Sequence, residues 1–305
     1  MRLKIIGAGI VGICTAVRCL EAGHSVQMVY AAPPSQTTSA QAGAIWLPYL
    51  AEPKEKVLPW SKWSHQRYQR EIRNGVPGVK EVALQVEALP NHEPSWLQIL
   101  PPSLVKNVES HVDRRRWEVQ VPLITPLPYL QYWWDWLSAR AAMEHRMVHN
   151  LTMECTSEYD WIINCTGLGS RVLCQDSDIY PVRGQLVKLG PNQDALQFVE
   201  ESKAPIMTYV FSRDNETLIG GTAEAHVWEN QTNPATLKII YERAVERFPD
   251  LQSLPVIGSQ TGLRPVRKVV RVEQDERSPI IHHYGHGGSG YTLAWGSAQR
   301  VLELL

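Results

Sequence analysis

The first thirty residues switch between two hydrophobic periodicities. Residues 3–6 are an unbroken apolar run. Ile10, Ile13, Cys14, Val17 and Leu20 then recur at helical spacing, and residues 25–30 return to an apolar run. A short run bounded by glycine reads as a buried strand, and i, i+3, i+4 spacing as a helix with one buried face. The prediction is therefore strand, helix, strand, with Gly23 ending the helix. Further along, helices are predicted over 60–72, over 129–146 (Leu130, Trp133, Trp134, Leu137 and Ala141 on the apolar side) and, at the surface, over 234–248. Strands are predicted over 160–165 and 183–189, and over 207–211 and 217–221 as a hairpin. A last strand over 279–284 leads to a terminal helix from about Tyr291. Residues 33–41 read as a polar loop and 122–128 as a proline-rich turn. No repeat interrupts this order.

The glycines add chemistry. Gly7, Gly9 and Gly12 stand between the first strand and helix with G-x-G-x-x-G spacing. There Gly7 permits the tight turn, Gly9 admits a pyrophosphate to the backbone and Gly12 allows close helix–strand packing. The helix N-terminus offers free N–H groups and partial positive charge to phosphates. Gly285-His286-Gly287-Gly288-Ser289-Gly290 follows the last strand and precedes the last helix. A second strand–glycine loop–helix suits a large cofactor touched at both ends, which FAD satisfies and NAD alone does not. The second strand, however, ends in Val29-Tyr30-Ala31-Ala32, where such sites place an acid on the ribose. Backbone, water or another side chain must hold that ribose.

Composition narrows the class. A net charge of -1 over 305 residues, without a basic stripe, argues against nucleic acid as a partner; Arg114-Arg115-Arg116 is expected to be a solvated turn. No apolar stretch approaches the ~20 residues that span a bilayer, and the glycines at 7–12 do not fit a cleaved leader. Five cysteines without C-x-x-C spacing predict reduced thiols and a cytoplasmic location. Eleven tryptophans against three phenylalanines are expected to serve as core and pocket walls. His282 and His283 alternate across a strand, so no metal site is expected. Arg267 is expected to be structural, His286 a hydrogen-bonded loop histidine, and Glu200-Glu201 a solvated pair.

The chain resembles the D-amino-acid oxidase and D-aspartate oxidase family of FAD enzymes nearly end to end. The resemblance is carried by Ile5-Ile6-Gly7-Ala8-Gly9-Ile10-Val11-Gly12, Trp46-Leu47-Pro48-Tyr49, Asn164-Cys165-Thr166-Gly167 and Arg183-Gly184-Gln185. Thr261-Gly262-Leu263-Arg264-Pro265-Val266-Arg267 and Tyr284-Gly285-His286-Gly287-Gly288-Ser289-Gly290 complete it. It implies an α/β fold in which a discontinuous, Rossmann-like FAD-binding domain (1–50, 135–182, 256–305) interleaves with a substrate domain (51–134, 183–255) on a mixed, mainly antiparallel sheet. FAD would be held by Gly7, Ala8, Gly9, Ile10, Val11 and Gly12. The resemblance adds Thr37, Thr38, Gly43, Ala44, Ile45, Thr166, Gly167, Gly262 and Arg264 to that set. The last cofactor segment is Gly287, Gly288, Ser289, Gly290, Tyr291 and Thr292. Arg264 and Tyr209 would bind the substrate carboxylate, with Gly288 beside them.

Two departures stand out: Pro205 replaces a lid tyrosine, and Ala32 replaces the ribose acid. The implied reaction is oxidative deamination of a D-amino acid by molecular oxygen, with a homodimer left open. The alternatives are a glycine or sarcosine-type amine oxidase and a non-catalytic flavin-binding paralogue. Glu303-Leu304-Leu305 is not an S-K-L-type peroxisomal address, which fits the cytoplasmic expectation.

Overall fold

The opening pattern becomes β1 (Arg2–Ile6), α1 (Ile10–Glu21) and β2 (Ser25–Tyr30) in a computed structural model that describes residues 1–110, 113–201 and 206–305. Next come α2 (Lys54–Arg73), β3 (Val79–Ala88), β4 (Val105–Ser110), β5 (Arg115–Ile124), α3 (Pro126–Ser138), β6 (Ala142–His145), β7 (Trp161–Asn164) and α4 (Ser170–Leu173). They are followed by β8 (Tyr180–Leu189), β9 (Gln197–Glu200), β10 (Ile206–Ser212), β11 (Thr217–Thr222) and β12 (Glu224–Ala225). The last elements are α5 (Pro234–Arg247), β13 (Val256–Gln274), β14 (Ile280–His286) and α6 (Gly290–Leu304). Pro205 lies outside the described residues.

The chain forms two units: residues 1–79, 124–181 and 264–305, and residues 80–123 and 182–263. In the first, β6, β2, β1, β7 and β14 lie side by side and all parallel, with β13 antiparallel to β14. The strand order reverses between β1 and β7, so the carboxyl ends there open the crevice in which doubly wound sheets bind ligands. Leu3, Ile5 and Ile13 are completely buried, as the apolar runs require.

Two predicted elements of this unit are corrected. The helix expected over 129–146 stops at Ser138, and residues 142–145 add β6 beside β2. The proline-rich turn does not exist. Pro122 lies within β5, which runs on to Ile124, while Pro126 and Pro128 sit in the first turn of α3, where a missing N–H costs nothing.

In the second unit the order is β4–β5–β3–β9–β10–β11–β8, then the first part of β13. β4–β5, β9–β10, β10–β11 and β8–β11 pair antiparallel and β3–β9 parallel, giving the mixed, mainly antiparallel sheet expected. Ile240, Ala244 and Leu251 pack on Val187, Phe198, Val210 and Ile219 of that sheet. Asn233 caps α5 by accepting from the backbone of Ala235 and Thr236.

The basic run is not a solvated turn. Arg114 and Arg116, with Arg247, converge on the buried Glu87 carboxylate. Glu200 and Glu201 are likewise engaged, by Arg243 and by the Trp96 indole N–H.

The units differ from the expected domains at their edges. Residues 51–79 and 124–134 join the first unit, and 182 and 256–263 the second. Residues 51–79 do so because α2 packs on α6. The Ser64 hydroxyl accepts the Gly296 N–H at 2.9 Å, and the Tyr68 hydroxyl donates to the Tyr291 carbonyl at 2.8 Å. Any Cβ on Gly296 would stand 2.1 Å from the Trp60 carbonyl oxygen.

Candidate active site

The first glycine turn is shaped by what lies against it. Gly7 has φ +116°, and a Cβ there would stand 2.5 Å from the Cys165 carbonyl oxygen. A Cβ on Gly12 would stand 1.8 Å from the Gly7 carbonyl oxygen. The turn after β1 is thus pressed against the end of β7, at the crevice. Gly9 caps α1 without a side-chain bond, and no acid occupies the first turn, so the helix keeps its positive end. Ser39, which sequence reasoning passed over, accepts the Ile10 N–H at 2.9 Å. Thr37 turns its proton to the Pro34 carbonyl at 2.7 Å, and Thr38 is exposed.

The second glycine loop follows β14. Gly287 has φ +56°, and its Cβ would meet the Leu50 carbonyl oxygen at 2.1 Å; that of Gly288 would meet the Tyr49 ring at 2.6 Å. The hydroxyls after it serve as braces. Ser289 accepts the Tyr49 N–H and donates to the Tyr49 carbonyl, Thr292 does the same for Leu47, and Tyr291 donates to the Ser39 carbonyl at 3.0 Å. Main chain is therefore what this loop has left to offer a ligand. The two glycine turns meet, since a Cβ on Gly290 would lie 3.6 Å from the Ile10 side chain.

A third segment joins them. Asn164 accepts the Thr166 N–H and hydroxyl at 3.2 and 2.8 Å. Gly167, with φ +56°, lies under Pro265, which places Arg264 beside this turn in the chain. The Ala44 carbonyl accepts the Ile124 N–H at 2.8 Å, fixing residues 43–45 in the same unit. Among the predicted residues, Tyr209 and Gly262 belong to the second unit. Tyr209, on β10, stacks on Phe211 at 4.8 Å, and its ring fills the space where a side chain on Gly220 or Gly221 would stand.

The neighbouring titratable groups are structural. Arg267 donates to Asp176 at 2.8 Å and to the Val269 carbonyl, as expected. His283 and His286 both meet the Ser297 hydroxyl, at 2.8 and 3.0 Å. Burial holds both imidazoles neutral, His286 down to about 3. His282 faces Asp275 and Asn164 instead. Among the described residues no three His, Cys, Asp or Glu gather as a metal site.

Glu71 differs. Burial pushes its carboxyl up to about 7, despite hydrogen bonds from Arg67 and Tyr129, and the nearby Glu21 carboxylate adds a little to the rise. The folded chain therefore binds this proton more tightly than the unfolded chain, whose value is near 4.5. Its contribution to stability is complete below about pH 4.5 and is lost as pH rises through about 7, a change of about 3 kcal/mol. Glu71→Gln should flatten the melting temperature between about pH 5 and about pH 8. An unchanged slope would remove Glu71 from this role.

Residues 2–101 and 138–304 match the model of the family described as FAD dependent oxidoreductase (DAO). The chain is similar to a D-amino-acid oxidase of Rubrobacter xylanophilus, at 33% identity over 99% of this chain and 95% of that protein. A D-amino-acid oxidase of Streptomyces coelicolor is 32% identical over 98% and 95%. Among solved structures, glycine oxidase from Geobacillus kaustophilus superposes with a TM-score of 0.80 over 99% of this chain and 94% of that one. At 16% identity this is likeness of fold. FAD fits the first unit: two glycine turns, in which Gly7, Gly12, Gly287 and Gly288 leave no room for a Cβ, and two helix N-termini without acids line the ends of β1, β7 and β14.

Proposed function

Since the chain belongs to the FAD dependent oxidoreductase (DAO) family, we propose that it converts D-amino acids, dioxygen and water to 2-oxo acids, ammonia and hydrogen peroxide. The observation that carries this reading is that relatives named D-amino-acid oxidase match the chain from end to end. Bound FAD supplies the hydride acceptor and the route to oxygen; orientation and electrostatics fall to the protein.

Arg264 is the proposed clamp on the substrate carboxylate. A guanidinium is a planar fork that takes both oxygens and fixes the α-carbon in one attitude. Tyr209 is proposed as a further hydrogen-bond donor to substrate. The glycine residues 7–12, with residues 37–38, would serve the pyrophosphate, and residues 43–45, 166–167, 262 and 287–292 the flavin. The start of α6 would place its positive end near the flavin edge that gains negative charge on reduction.

Gly288→Val tests that last point. Its side chain must displace Tyr49 or the loop, so the flavin midpoint potential should become more negative. Unchanged potential with unchanged FAD binding would contradict it.

No helix among the described residues is long and apolar enough to cross a membrane, and we propose a cytoplasmic location. The activity is tested by peroxide release across a panel of D- and L-amino acids and glycine. Release from several D-amino acids but not their L-isomers is expected. Glycine as the best substrate would instead favour a glycine-type amine oxidase.

A further inference from the structure

In this fold the strand after the glycine turn ends where the adenosine half of the dinucleotide lies, and an acid there bonds the ribose. Here β2 ends in Tyr30, followed by Ala31 and Ala32. Glu144 of the adjacent β6 is engaged elsewhere. Its carboxylate accepts from Gln27 at 3.1 Å and from Arg146 at 2.7 Å.

The same edge presents stacked rings instead. His145 lies opposite Tyr30 in the parallel β2–β6 pair, and the two rings stack 5.1 Å apart with an inclination of 14°. Trp134 of α3 meets the Tyr30 ring edge-on at 4.9 Å. Tyr30 and Trp134 are half-buried, whereas His145 is exposed. Its Nε2 lies 3.2 Å from the Ala31 carbonyl oxygen, where an N–H donates across the strand ends. The imidazole is therefore held from behind by a ring and at one edge by a hydrogen bond. An aromatic surface held in this way loses little freedom on binding, and imidazoles are established platforms for nucleobases. Ala31 and Ala32 bring only methyl groups to the same edge.

We propose that the adenine ring of FAD stacks on the exposed face of His145, so that ring stacking replaces the missing ribose–carboxylate bond. The inference rests on the FAD reading above and concerns this chain's own Tyr30–His145–Trp134 cluster.

Apoprotein is titrated with FAD by flavin fluorescence, with ADP as competitor and FMN as the ligand lacking adenosine. His145→Ala should weaken FAD and ADP by the same factor, about five- to a hundredfold, the range for stacking one base on an aromatic ring. FMN binding should not change. His145→Phe keeps a flat ring and should retain wild-type FAD and ADP affinity, whereas Ala32→Asp on the His145→Ala background should recover part of the loss. His145→Ala protein that binds FAD and ADP as the wild type does would overturn the proposal. So would a His145→Phe loss as large as that of alanine, because stacking would then not be the interaction. Wild-type apoprotein that takes up no FAD would instead sink the cofactor reading, a result distinct from any difference among variants.

Discussion

Gly12→Ala should yield a protein that purifies colourless. The added carbon would stand 1.8 Å from the Gly7 carbonyl oxygen and 3.4 Å from the Cys165 side chain. The first contact is with backbone, so no side-chain rotation relieves it. α1 would have to lift away from the ends of β1 and β7, yet Ile13, Cys14, Ala16 and Val17 of that helix have no exposed surface. Overpacking of this kind costs about 1–3 kcal/mol or more, and it separates the glycine turn from the helix N-terminus that would face the phosphates. Gly9→Ala is the milder control, since its Cβ would meet only the Ser39 hydroxyl, at 3.2 Å. Melting temperature should fall for Gly12→Ala and much less for Gly9→Ala, whereas flavin bound per polypeptide should fall in both, because a Cβ at Gly9 stands where the pyrophosphate would approach the backbone. Full flavin content in Gly12→Ala would mean that this turn does not hold the cofactor.

The second large effect is expected at Arg264. Charge-assisted hydrogen bonds contribute about 1.5–3 kcal/mol each, and a forked clamp makes two. Arg264→Ala should therefore lower kcat/KM by about a hundredfold to ten-thousandfold. The Michaelis constant should rise and flavin reduction should slow together, because the clamp both binds and aligns. Arg264→Lys restores the charge without the fork and should recover only part of the loss. Melting temperature should stay near that of the wild type. Near-normal turnover in Arg264→Ala would refute the clamp, even if the protein remains a flavoenzyme.

The N-terminal strand–helix–strand was legible almost to the residue, because periodicity, glycine spacing and burial all agree there. Other elements were hidden for physical reasons. β6 is four residues, Ala-Met-Glu-His, without a β-branched side chain and without a fully buried position. It exists because β2 offers an open edge, which no local pattern encodes. α2 begins before Pro59, a residue that reads as a breaker; lying inside the helix, it forgoes the hydrogen bond to the Glu55 carbonyl, and the helix continues through it to Arg73. At the site, the glycines announced themselves through spacing, whereas the hydroxyl braces did not. Ser39, Ser289 and Thr292 act on backbone groups far away in sequence. The basic run looked solvated because its partner, Glu87, is contributed by a distant strand. The Tyr30–His145 stack had no signal beyond the missing acid at Ala32, since it depends on the register between β2 and β6.

A D-amino-acid oxidase must pass reducing equivalents from one enantiomer of an amino acid to its bound flavin. The most direct measurement mixes the purified yellow protein with D- and then L-amino acids under anaerobic conditions while following the flavin absorbance. Rapid bleaching by D-isomers alone, with colour and hydrogen peroxide returning when oxygen is admitted, is the predicted result. A flavin that keeps its colour with every D-amino acid, or bleaches equally with L-isomers, would contradict it.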